Sequence, residues 1–159
     1  MAEMNGSTTR PTATGWRVGV DRAYTYLMTL FFVAVLVQVF LAGVGVFGDH
    51  AKKVEDASSF DPHRALGSIL GGIAVILLIV ALIAHISRAT MIWAFVLAAL
   101  AFAAQPGLAS GGNSNKWVGG LHALDGMFIL MISGYLTGVA HRRVASRRRL
   151  PQPEAAVST

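Results

Sequence analysis

The 159-residue chain has no cysteine, which removes disulfides, thiolate metal sites and cysteine nucleophiles from consideration. Charge is scarce as well, with 13% of residues being Asp, Glu, Lys or Arg, about half the roughly 25% of a soluble domain. Catalytic signatures are also missing. The chain contains no Gly-rich nucleotide loop, no HExxH helix, no serine nucleophile elbow and no paired carboxylates. Nothing therefore demands an enzyme, and a redox protein is the most that the residues allow.

What is present is hydrophobic: 54% of the residues, gathered into four runs that each approach the ~20 residues needed to cross a bilayer as helix. The spacing predicts spans at about 24–47, 63–86, 90–104 and 117–140, in an all-α, four-helix transmembrane bundle of one domain. The first run is too long for a signal peptide and lacks a small-residue cleavage site, so it reads as a retained span. Residues 1–20 are polar and read as a mobile tail, and residues 142–159 as a basic and then disordered one. Asp61-Pro62 suits an N-cap followed by the first helical position. "SRAT" reads as a turn, Trp93 as an interfacial anchor, and "PGLASGGNSNK" as a loop. The partner implied is the lipid bilayer, and nucleic acid is not expected.

Arginine and lysine set the orientation, because cytoplasmic segments retain them. With both termini inside, the inner segments hold Arg10, Arg17, Arg22, Arg88, Arg142, Arg143, Arg147, Arg148 and Arg149, against Lys52, Lys53, Arg64 and Lys116 outside. The arginine-rich composition, common in GC-rich bacteria, suggests a bacterial source, and the location expected is the inner membrane. The Arg142–Arg149 cluster fixes topology and suits anionic headgroups.

Two stretches echo each other. "QVFLAG" (38–43) matches "QPGLAS" (105–110), and His63 with Gly67 matches His122 with Gly126, so each hairpin reads Gln-x-x-Leu-Ala-small, loop, His-x-x-x-Gly. Four ordered features recurring in sequence argue for a duplicated two-helix unit. Both hairpins then share a topology, with a pseudo-twofold axis along the membrane normal. His63 and His122 would sit at one depth, in neighbouring or diagonal spans.

Inward histidines on two facing spans suit axial ligation of a haem iron, with Gly67 and Gly126 one turn on leaving room for the macrocycle. Arg64 would pair with a propionate. Asp125, three residues after His122, would orient that ring or exchange a proton. The plainer reading is that both histidines only join helices by hydrogen bonds. Gln38 and Gln105 read more simply as structural polar residues than as cofactor contacts. His85 and His141 lie 22 and 19 residues from the first pair, roughly 33 Å and 28 Å along a helix, and so read as interfacial. His50 beside Asp49 makes no site.

Ser59-Phe60-Asp61-Pro62-His63-Arg64-Ala65-Leu66-Gly67 resembles the "SFDxHRALG" pattern of an uncharacterised family of small four-span bacterial membrane proteins, a resemblance that covers nearly the whole chain. More distantly, "HR-x-x-G" with a second histidine about 60 residues later resembles one half of haem A synthase and other bis-histidine membrane b-type cytochromes. That resemblance implies haem b held by His63 and His122. The glutamate that haem A synthase carries three residues before its first motif histidine is Phe60 here, so its oxygenase chemistry is not implied. The function expected is electron transfer near the outer leaflet, with quinol or a redox protein as partner and oligomers compatible. The alternatives are a cofactor-free accessory or scaffold protein and a small transporter or proton-conducting module.

Overall fold

The computed structural model describes residues 15–48 and 58–148. Helix α1 (Gly15–Gly48) runs the length of the molecule. A short 3-10 turn (Ser58–Phe60) leads into α2 (Asp61–Ile83), which returns. The third span is composite: α3 (Arg88–Ala99), a π-helical turn (Leu100–Ala104) and α4 (Gln105–Gly112). Helix α5 (Lys116–Arg148) closes the bundle. One end, the terminal end, carries the start of α1, the α2–α3 turn and the end of α5; the other is the loop end.

Four helical segments of 34, 26, 25 and 32 residues are long and apolar enough to cross a membrane, and the protein is a multi-pass membrane protein on that basis. Helix α1 packs against α2 and α5, and the composite third span against the same two. This makes α2 and α5 diagonal partners. Met28, Phe31, Leu97 and Leu136 are buried completely, with Ala74, Ala81, Ala94 and Ala98 letting the helices close. At Gly71 an added Cβ would stand 3.1 Å from the carbonyl oxygen of Ala101, so hydrogen alone lets α2 approach the π turn. Large apolar side chains such as Leu30, Phe40, Phe95 and Phe102 point outward, as lipid-facing residues do.

Four expectations about boundaries are corrected. The third span does not stop at Ala104 but continues through the expected loop to Gly112. Pro106 has no amide hydrogen and its ring crowds the preceding turn. Widening that turn absorbs the conflict, as the Gln105 amide bonds to the carbonyl of Leu100 five residues back. Residues 15–20 of the expected N-terminal tail are helical, and so are 142–148 of the C-terminal one; residues 1–14 and 149–159 lie outside the described residues. At α2 the N-cap is Phe60, with Asp61 and Pro62 already inside the first turn. Asp61 instead meets Arg64 Nη1 at 2.7 Å. Residues 49–57, with His50, Lys52 and Lys53, are likewise outside the described residues.

Candidate functional site

Near the loop end the expected residues meet. Gln38, nearly three turns before the end of α1, faces the first turn of α2. Its amide Nε2 donates to the carbonyl oxygen of His63 at 2.8 Å, and its own backbone carbonyl accepts from His63 Nδ1 at 3.1 Å. Gln105 and His122 make the same two bonds: the side-chain amide donates to the His122 carbonyl at 3.3 Å, and His122 Nδ1 donates to the Gln105 carbonyl at 3.3 Å. Because a carbonyl can only accept, Nδ1 carries the proton in both rings and Nε2 keeps a lone pair when the ring is neutral.

The two rings approach each other across the diagonal of the bundle, with centroids 6.3 Å apart and planes at 77°. Phe60 closes on His63 edge-on at 6.2 Å. One difference separates the halves. The Gln38 amide also lies 3.4 Å from His63 Nε2, a long contact for a hydrogen bond, and no corresponding contact is made at His122 among the described residues.

The glycines have a tangible role. An added Cβ at Gly67 would meet the Gln38 amide nitrogen at 2.9 Å, and one at Gly126 would meet that of Gln105 at 3.2 Å. The space beside each histidine is thus taken by a glutamine amide, which the missing side chain admits. Asp125 is buried at 6% exposure, and its Oδ2 has no hydrogen-bond partner; the same holds for Gln38 Oε1 and Gln105 Oε1. The loop-end site therefore holds three orphaned acceptors and two imidazoles. Arg64 sits at the rim, paired with Asp61 and over the Phe60 ring at 5.9 Å.

Sequence reasoning missed a second polar cluster, at the terminal end. Asp21, 4% exposed, lies 3.0 Å from Arg143 Nη2 and 2.9 Å from Arg147 Nη2. Arg143 Nη2 also donates to the carbonyl of Ala84 at 2.8 Å, which ties α5 to the end of α2. Thr137 donates to the carbonyl of Met28 at 3.1 Å, and Thr29 meets His141 Nε2 at 3.0 Å. The signal available was an acid one turn before an apolar run, amid arginines, just outside the span expected at about 24–47.

Residues 38–111, just under half of the chain, match a family described as being of unknown function (DUF6220). The stretch holds the Ser59–Gly67 pattern together with Gln38 and Gln105, and stops before His122. No curated protein matches, haem A synthase and the cytochromes included, and no solved structure matches either. The chain is a four-helix membrane protein similar, over that stretch, to a family without an assigned function.

Proposed function

We propose that this protein is a small b-type haem protein of the cytoplasmic membrane, made of two duplicated hairpins, with His63 and His122 as axial ligands. The observation that carries the reading is the pair of imidazoles from diagonal spans, 6.3 Å apart at their centroids, each anchored through Nδ1 to a backbone carbonyl. An imidazole nitrogen binds a metal at about 2 Å, so two rings sharing one ion have centroids about 6 Å apart. Anchoring Nδ1 fixes the tautomer that leaves Nε2 for the metal. Haem, when bound, supplies one-electron transfer, between quinol and a redox partner in this reading.

The remaining residues have their own tasks. The Gln38 amide at His63 Nε2 holds the ring until a ligand takes that nitrogen. Asp125 offers a buried carboxylate that can hold a proton beside His122, and Arg64 adds positive charge at the rim for a carboxylate group. The loop-end hydrogen bonds described above run within a hairpin, whereas those at the terminal end join the two hairpins. The hairpins can therefore part around the histidines without losing those bonds. The recurrence of the Gln–His bonds in both hairpins supports duplication. The crowding of Arg17, Arg22, Arg88, Arg142, Arg143 and Arg147 at the terminal end supports placing both termini in the cytoplasm.

The second reading, a cofactor-free accessory protein, is favoured by one observation: the glutamine amides fill the space beside Gly67 and Gly126. A visible spectrum decides. Protein purified from haem-sufficient cells should show sharp bands on reduction, His122→Ala should abolish them, and His85→Ala should leave them intact. A wild type that stays colourless after haem reconstitution leaves the accessory reading, and colour that survives His122→Ala refutes these ligands.

A further inference from the structure

Polar atoms without hydrogen-bond partners are buried at both ends of the bundle: at the terminal end they are one acceptor, Asp21 Oδ2, and two donors. The Tyr24 hydroxyl is buried in a side chain only 4% exposed and has no hydrogen-bond partner, and neither does Arg147 Nη1. Tyr24 and Arg147 both line a cavity of about 410 Å³ between α1, the α2–α3 turn and α5, which His85, Thr90 and Arg143 also line, and the two unpartnered atoms are buried behind its wall. A single carboxylate, Asp21, serves both guanidinium groups, so the cluster is one negative charge short. Helix α3 begins here at its Ser87 cap, and the positive end of its dipole adds to the field.

His85 is the one non-glycine residue with positive φ among the described residues, at 47°. It stands just past the C-cap of α2, where the bonds from the His85 amide to Leu82 (3.1 Å) and from the Ile86 amide to Ala81 (3.5 Å) close a Schellman turn. Glycine or asparagine is the ordinary occupant of such a position. A histidine kept there at a conformational cost puts a ring on the cavity wall, and His85 Nδ1 donates to the Ile83 carbonyl at 2.8 Å, which steadies that ring.

We propose that this cavity binds a phosphate group, held by the Tyr24 hydroxyl, the free arm of Arg147, Arg143 and His85. Guanidinium groups match phosphate oxygens in pairs. The source favoured is the headgroup of an anionic phospholipid. A second, smaller cavity shares His85, Arg143 and Arg147 as its wall and continues past Arg17 to the apolar Trp16, Val20 and Ile83, of which Trp16 and Ile83 are about half exposed on the lipid-facing surface. The acyl chains that follow the phosphate in a lipid fit such a wall; free phosphate has no use for it. The proposal is independent of haem.

The test uses the full chain in a neutral detergent, with dihexanoyl phosphatidylglycerol, dihexanoyl phosphatidylcholine and inorganic phosphate as probes and native mass spectrometry or thermal shift as readout. Phosphatidylglycerol should bind saturably and at least about tenfold more tightly than phosphatidylcholine, as expected when a hydrogen-bonded charge is read. Tyr24→Phe and His85→Asn should each weaken it, the pair by about tenfold or more. Neither touches the Asp21 ion pairs, and asparagine accepts the left-handed backbone, so the fold is preserved. A purely structural Tyr24 would leave the phosphatidylglycerol affinity unchanged, whatever Tyr24→Phe does to stability without lipid. Equal binding of the two lipids, or unchanged phosphatidylglycerol affinity in the double variant, overturns the proposal. Inorganic phosphate binding as tightly as the lipid keeps the phosphate site and overturns the lipid as its source.

Discussion

Asp21 is the residue whose loss should loosen the bundle most. Its carboxylate is 4% exposed and reaches Arg143 Nη2 at 3.0 Å and Arg147 Nη2 at 2.9 Å, joining the first and last spans. Breaking a buried ion pair from one side costs about 3–5 kcal/mol because the partner charge is left stranded. Here the stranded partners are not sealed in: the arginine side chains keep 26% and 30% of their surface, and water recovers part of the loss. Asp21→Ala should therefore destabilise by about 2–4 kcal/mol, and Asp21→Asn by less, since it keeps an acceptor. On the size scaling of soluble domains this is a fall of about 4–16 °C in melting temperature. Arg143→Ala should cost more than Arg147→Ala, because Arg143 also satisfies the Ala84 carbonyl at 2.8 Å. The measurement is reversible unfolding in mixed micelles, with double-mutant cycles between position 21 and each arginine. Asp21→Ala within about 0.5 kcal/mol of wild type, as for an ordinary surface substitution, together with no coupling to either arginine, would refute the reasoning.

Two further outcomes are expected. Gly67→Ala should weaken the loop end more than Gly126→Ala, since its Cβ would stand 2.9 Å rather than 3.2 Å from a glutamine amide; the cost is bounded by the bond displaced, about 0.6 kcal/mol on average and up to about 1.7 for interhelical bonds in a membrane. Thermal unfolding in detergent compares the two, and a smaller effect at position 67 would contradict the packing described. A reporter active only outside the cytoplasm should be silent when fused after Thr159 and active when inserted before Ser58; the reverse pattern would turn the histidine site toward the cytoplasm.

The bundle and the loop-end residues were legible in the sequence because each rests on a local signal. Apolar runs of membrane length announce spans, and the two Gln…His-x-x-x-Gly phrases pointed to residues that do meet: Gln38 with His63, Gln105 with His122, and His63 with His122. What the phrases could not tell was who occupies the space beside the glycines. A missing side chain says that something comes close, not what it is, and here it is a glutamine amide. The end of the third span was misread for a related reason. Gly, Pro, Ser and Asn speak for a loop in water, whereas in a tight membrane bundle small residues admit neighbours, and a π turn accommodates Pro106. Asp21 escaped because its meaning lies more than a hundred residues away, on Arg143 and Arg147, and no local pattern reports such a pairing.

Polar contacts carry the specificity of this bundle, since lipid offers apolar helices no reason to prefer one another over tails. Their placement is uneven. At the terminal end an acid, two arginines and two threonines join the hairpins to each other; at the loop end each glutamine joins the helices of its own hairpin, and the hairpins meet through two imidazole rings lying edge to face. A ring contact of that kind contributes about 0.5–1.5 kcal/mol, below the loss expected when a carboxylate is taken from two arginines. The polar contacts between the hairpins are thus strong at the terminal end and weak at the loop end, where the two histidines meet.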